Sequence, residues 1–116
     1  MKIVSTFFDS KVILCKYDIL RDNRGYFAEI YNKRALNKVG IKSNFVQDNQ
    51  SLSKNKYTFR GIHLQLNPFR QSKLIRVVHG SIIDFIVDLR IKSRTFGKNI
   101  QIKLNHNKIL FIPEGF

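Results

Sequence analysis

Apolar and polar positions alternate along most of this chain with a period of two. That spacing sets one face of an extended segment against a core and the other against water. It predicts strands over Lys11–Tyr17, Tyr26–Tyr31, Asn44–Asn49, Tyr57–Gln65, Lys73–Val78, Ser81–Leu89, Asn99–Leu104 and Lys108–Ile112. One helix interrupts them. Asn32 is an N-cap residue, Lys33–Val39 follows, and Gly40 stops it. His79-Gly80, between two strand-like runs, predicts a hairpin in which glycine supplies the positive φ of a tight turn. Asp22-Asn23-Arg24-Gly25 and Asn105-His106-Asn107 read as further turns. Many short strands with a single helix predict an antiparallel barrel or sandwich. A parallel α/β fold lacks its connecting helices here.

Length and composition narrow this picture. At 116 residues the chain is one domain, and 43% hydrophobic residues with ten Phe supply a core. Asp9 interrupts the apolar start before a signal-peptide core forms, and no run approaches the roughly 18 apolar residues of a membrane span. A single cysteine, Cys15, excludes an internal disulfide and suits a reducing cytosol, so a soluble cytoplasmic protein without membrane contact is expected. The formal charge of +13 first suggests a nucleic-acid partner, but the 21 basic residues are spread along the chain without a block. The expectation is no nucleic acid. The cations serve a solvated surface and a small phosphorylated ligand.

Candidate chemistry gathers at a few positions. His63 lies inside an apolar run, sharing a strand face with Gly61 and Gln65, and the glycine leaves room for a ligand or another backbone. The pattern alone also fits a core histidine satisfied by one hydrogen bond. Lys73 alternates with Ile75 and Val77, so it either snorkels out at the strand end or points into a polar cavity. Asp84 and Asp88 sit in an apolar strand with Arg76 and Arg90 as available partners, as exposed pairs of small energetic consequence. His79 and His106 fall in turns. With no His-x-His pair and one well-placed histidine, no metal is expected. Cys15 alternates with Val and Leu as a buried residue does, which speaks against a nucleophile.

Six segments in order carry a family resemblance. Asp22–Glu29 resembles the pattern Asp-x-Arg-Gly-x-Phe-x-Glu, and Phe45-Val46-Gln47-Asp48-Asn49 resembles a Phe-Val-Gln-Asp-Asn strand. Arg60–Gln65 is similar to Arg-Gly-Leu-His-x-Gln, followed by Pro68, Gln71 and Lys73 in the pattern Gln-x-x-Pro-x-x-Gln-x-Lys. Val77–Gly80 with Asp84–Arg90, Thr95-Phe96-Gly97, and Ile112–Phe116 complete the set. Together they resemble the dTDP-4-dehydrorhamnose 3,5-epimerase family, across nearly the whole chain.

The resemblance implies an all-β antiparallel jelly roll (cupin) with one short helix, no cofactor, and a homodimer that exchanges an N-terminal strand region. It implies inversion at C3 and C5 of a dTDP-4-keto-6-deoxyhexose, on the way to dTDP-L-rhamnose. Within it, His63 matches the general base and Lys73 the cation that stabilises the enolate oxygen. Imidazoles titrate near about 6.5, which suits a base at neutral pH. A fixed ammonium in a water-poor site suits an enolate. Arg24 and Arg60 match nucleotide and diphosphate ligands, since guanidinium forks fit phosphate oxygens. Phe27, Glu29, Gln47, Asp48 and Asn49 match other nucleotide-contacting positions. Arg60 and His63 have opposite parity on a regular strand, so a bulge or a rim position is expected for Arg60.

Family members continue past Pro-Glu-Gly-Phe with Ala-His-Gly-Phe, then a Tyr acid and an Asp that pairs with the base. Here Pro113–Phe116 follows directly on a strand whose edge is then unpaired, so residues 1–116 are expected to form the N-terminal part of a single epimerase domain, its barrel incomplete at the C-terminus. A base without its acid completes no inversion, so the chain alone is expected to be inactive or nearly so. Other readings are a single-centre epimerase or ketoisomerase of dTDP-hexoses, or a non-catalytic sugar-nucleotide-binding remnant.

Overall fold

β2 (Val12–Lys16) reads Val-Ile-Leu-Cys, an unbroken apolar run, because both of its faces are covered. The computed structural model describes residues 1–116. β2 lies inside a four-stranded antiparallel sheet between β1 (Lys2–Phe7) and β8 (Lys108–Ile112), and β5 (Lys73–Arg76) closes the order β1-β2-β8-β5. β3 (Leu20–Asp22) and β4 (Gly25–Phe27) form a separate hairpin. β6 (Ile82–Val87) and β7 (Asn99–Leu104) form a third sheet of two strands.

Alternation then sorts side chains into two cores. Val12, Leu14, Val77, Leu110 and Ile112 pack toward Ile86, Ile102 and Leu104 of the β6–β7 sheet. Ile13, Cys15, Tyr17, Ile109 and Phe111 pack on the opposite face against Leu36 and Ile41 at helix α1 (Lys33–Lys38). The architecture is an antiparallel jelly roll with one short helix, as the alternation and the resemblance imply.

The helix follows its sequence signals. The Asn32 side chain accepts from the Ala35 N–H at 3.0 Å. At the far end Gly40 takes φ +87°, its N–H donates to Asn37, and the Ile41 N–H donates to Leu36. Those two bonds make a Schellman ending, and Leu36 and Ile41 meet in the core as that motif favours.

Four expectations fail. The last strand, β8, has no unpaired edge, because β2 and β5 bond to its two sides. The strand expected over Tyr26–Tyr31 stops at Phe27, the end of β4 and of its pairing with β3. β5 and β6 do not pair: β5 bonds to β8 and β6 to β7, so His79-Gly80 carries the chain from one sheet to the other rather than closing a hairpin. Gly80 keeps its positive φ of +81°, which a turn between sheets needs as much as a hairpin does. Asn44–Asn49 and Tyr57–Gln65 are not strands, for no helix or strand forms between α1 and β5. A strand is made by its partner's backbone groups. From Lys42 to Ser72 the one backbone–backbone hydrogen bond runs from the Phe69 N–H to the Leu66 carbonyl at 2.8 Å.

Candidate active site

Lys73 opens β5 opposite Ile112, and Ile75 pairs with Leu110. Ile112 and Leu110 belong to the core between the two sheets, as do Ile75 and Val77, so the Lys73 side chain points into the same space. Snorkelling to the outside is thereby ruled out. From the other sheet Asp84 enters that space, sharing a face with Ile86 and pairing with Ile102. Burial pushes the Asp84 carboxyl above the usual carboxylate range, and the Lys73 ammonium pulls it partly back. The pairing of Asp84 with Arg76 anticipated from sequence is not made; its counter-charge is Lys73.

His63 reaches this site from the irregular stretch. The Lys73 ammonium donates to the His63 carbonyl oxygen at 3.4 Å, a long contact that sets the segment beside the mouth of β5. The residue is exposed, so it is not a buried core histidine. Because the segment is not a strand, the parity conflict between Arg60 and His63 disappears. Arg60 turns back on its own loop, with Nε donating to Ser53 Oγ at 3.0 Å and a terminal nitrogen to the Leu52 carbonyl at 3.1 Å. Gln47 donates to the Asn49 side chain at 3.1 Å, and Asp48 is exposed between them.

The remaining predicted residues stand on the β3–β4 hairpin and its exit. The Arg24 fork is held by Asp22, with a shortest contact of 2.6 Å, and it holds the Asp22 carboxyl below its ordinary range. Phe27 and Glu29 line a cleft of about 290 Å³ together with Met1, Tyr17, Asp18 and Leu20. No hydrogen bond or ion pair joins this group to His63 or Lys73. The chain therefore gathers His63 and Lys73 at one site and Arg24, Phe27 and Glu29 at another.

Sequence reasoning passed over Asp84 as a surface pair and took Asp88 for another. The signal for Asp84 was its alternation with Ile82 and Ile86 on an apolar face. Asp88 is fully buried and accepts from the Arg90 N–H, the Arg90 guanidinium, Ser93 Oγ and Thr95 Oγ1. These bonds hold its carboxyl far below the usual carboxylate range. Arg90 in turn lies 4.3 Å over the Phe116 ring, and the Leu89 N–H donates to the Gly115 carbonyl. No cluster of three or more His, Cys, Asp or Glu side chains has the arrangement of a metal site, and no helix is long and apolar enough to cross a membrane.

Two antiparallel sheets facing each other over a space that holds a lysine and a carboxylate define a cupin-type jelly roll with an ionisable lumen. The sequence model described as dTDP-4-dehydrorhamnose 3,5-epimerase matches residues 10–116, and the chain belongs to that family. It is 43% identical over 108 residues to the dTDP-4-dehydrorhamnose 3,5-epimerase of Shigella flexneri, covering 90% of this chain and 59% of the relative. The epimerase of Escherichia coli strain K12 is 37% identical over 119 residues, covering 100% of this chain and 63% of the relative. Among solved structures, the Bacillus anthracis epimerase with TDP and PPi bound superposes with a TM-score of 0.94 at 41% identity, over 98% of this chain and 66% of that one. The Legionella pneumophila enzyme in complex with dTDP-4-keto-L-rhamnose gives 0.88 at 35% identity, over 99% and 61%. The chain thus spans about three fifths of the length of the curated relatives it matches.

Proposed function

We propose that residues 1–116 form the N-terminal part of a single epimerase domain. They supply the base, the enolate-stabilising cation and much of the nucleotide site for inversion at C3 and C5 of dTDP-4-dehydro-6-deoxy-D-glucose in dTDP-rhamnose biosynthesis. The observation that carries this reading is the Lys73 ammonium, aimed between the sheets beside the His63 segment. His63 takes the hydrogen next to the C4 ketone, and the electron pair moves into an enolate whose oxygen faces Lys73. The Lys73 ammonium faces the neighbouring Asp84, whose carboxyl it pulls back toward the ordinary range against the effect of burial. Arg60 and Gln47–Asn49, on the same irregular stretch, bind the nucleotide diphosphate. No cofactor enters this reaction, and the enzyme works in the cytoplasm.

Arg24, Phe27 and Glu29 fit a homodimer. They stand apart from His63 on a hairpin whose Leu20, Tyr26 and Phe27 are all more than 60% exposed, and β1 presents an open strand edge. A second copy contributing this hairpin brings both groups to one ligand, the partner expected from the resemblance.

Calorimetric titration with dTDP tests the substrate class. Binding weakened at least tenfold in Arg60→Ala supports the reading; no binding, or equal binding by the variant, contradicts it. A second reading, sugar-nucleotide binding without turnover, draws on the positions of the tyrosines. Tyr17 Oη accepts from the Asn107 N–H, Tyr31 packs edge-on against Phe45, and Tyr26 and Tyr57 face solvent. None stands as an acid opposite His63.

A further inference from the structure

Residues paired across antiparallel strands share a face, so the four-stranded sheet can be followed row by row along its strands. At one end of β8 Ile112 stands beside Lys73; at the other end the row is three lysines. Lys2 of β1 is opposite Lys16 of β2, and Lys16 is opposite Lys108 of β8. They continue the face of Leu14 and Leu110 past the end of the core, with Lys108 half-buried and Lys2 and Lys16 exposed. Like charges set directly opposite each other destabilise a sheet. No carboxylate offsets these three. The direct ion pairs of the chain join the amino terminus to Asp18, Arg24 to Asp22, Arg90 to Asp88 and Arg94 to Asp9. Asp18, the nearest acid along the chain, is thus already engaged, at 3.7 Å. The backbone beneath the row is fixed. The Tyr17 N–H donates to the Asn107 carbonyl at 3.2 Å, and the Asn107 N–H donates to Tyr17 Oη at 3.2 Å.

We propose that the row Lys2, Lys16 and Lys108 is a further anion site, which takes a soluble linear polyphosphate of at least three phosphoryl groups. Adjacent strands lie about 4.8 Å apart, so the row spans roughly 10 Å and is longer than a single phosphate. Each ammonium makes charge-assisted hydrogen bonds to phosphoryl oxygens, and the anion turns the repulsion between neighbouring lysines into shared attraction. The net charge of +13 favours the approach of such a ligand. This site is separate from the one that holds Lys73. Lys108 and Ile112, the partner of Lys73, stand at opposite ends of β8, about 13 Å apart along the strand. It uses neither Arg24 nor Arg60, so it stands or falls independently of the proposed function.

Calorimetric titration of the 116-residue chain with inorganic triphosphate tests the proposal, with inorganic sulfate at matched ionic strength as the comparison. Triphosphate should bind 1:1 and at least tenfold more tightly than sulfate. Lys16→Gln and Lys108→Gln should each weaken it at least fivefold, whereas Lys16→Arg and Arg60→Ala should stay within twofold of the wild type. Without ligand at low salt, Lys16→Gln should be at least as stable in urea as the wild type, because it relieves repulsion at an exposed position. Lost binding is then not lost folding. No binding of triphosphate, equal binding of sulfate, an affinity unchanged in both glutamine variants, or a less stable Lys16→Gln overturns the proposal. Binding lost in Arg60→Ala but kept in the lysine variants puts the anion in the nucleotide site and overturns it as well.

Discussion

The ammonium of Lys73 faces the Asp84 carboxylate across the gap between two sheets that share no hydrogen bond with each other. The loop from Ser81 into β6 and the start of β5 are therefore coupled by charge rather than by backbone. Removing the cation leaves Asp84 buried without the attraction that offsets its burial. In Lys73→Met the Asp84 carboxyl should titrate at a higher pH than in the wild type, read by carbon NMR of the carboxyl group. An unchanged midpoint would show that the two do not face each other.

The two buried aspartates should shape acid stability in opposite directions. Asp84 is raised by burial, so the folded state holds its proton more tightly than the unfolded chain. Its contribution grows as pH falls through the folded value toward the ordinary value of about 3.9. Asp88 is lowered by its hydrogen bonds, so its contribution is present above about 3.9 and lost as pH falls below it. Urea titrations at several pH values should show Asp84→Asn losing the gain on mild acidification and Asp88→Asn flattening the loss in stronger acid.

Asp88→Asn should also cost about 3 kcal/mol at pH 7, toward the low end for breaking a buried pair because Arg90 remains partly exposed. The loss reaches beyond the immediate contacts. Arg90 carries Phe116 on its guanidinium face, and Phe116 packs on Phe8 with ring centroids 5.2 Å apart. Near-ultraviolet circular dichroism should report the loosened aromatic group along with the lower stability.

Gly115 is held where a side chain has no room. An added Cβ falls 2.6 Å from Arg90 Cγ, and φ is +88°. Arg90 is pinned by Asp88 and does not move aside, so Gly115→Ala should cost about 1–3 kcal/mol from backbone strain before the clash is counted. A variant as stable as the wild type in urea would contradict this packing.

What the sequence disclosed and what it withheld divide along one physical line. The helix was legible from Asn32 to Gly40 because caps act within a few residues. Val12–Lys16 and Lys108–Ile112 were legible because their apolar runs are long for their length. Alternation set Lys73 on the face of Ile75 and Val77 but left open whether its ammonium snorkels out or points inward, because the facing sheet that decides it is remote in sequence. Strand partners were not legible: a two-residue connection at His79-Gly80 serves a hairpin or a passage between sheets, and long-range packing chooses. Asn44–Asn49 and Tyr57–Gln65 show the same limit, since a strand pattern makes a strand only where another strand's backbone bonds to it, and none does here. Arg24 and His63 matched family positions equally well, but no local signal says that they stand in separate groups. Asp84 was misread because an aspartate on an apolar strand was assumed to turn outward.

The most direct measurement follows dTDP-4-dehydro-6-deoxy-D-glucose by proton NMR in D2O with the 116-residue chain alone. On the proposed assignment, His63 acts beside Lys73 with none of the four tyrosines opposite it, and returns a deuteron only to the face it took the proton from. Deuterium should enter at C3 and C5 with the D configuration retained, and His63→Asn should abolish its entry. Inversion by the wild-type chain, or deuterium entry unchanged in His63→Asn, would contradict the assignment of the base and of the site around Lys73.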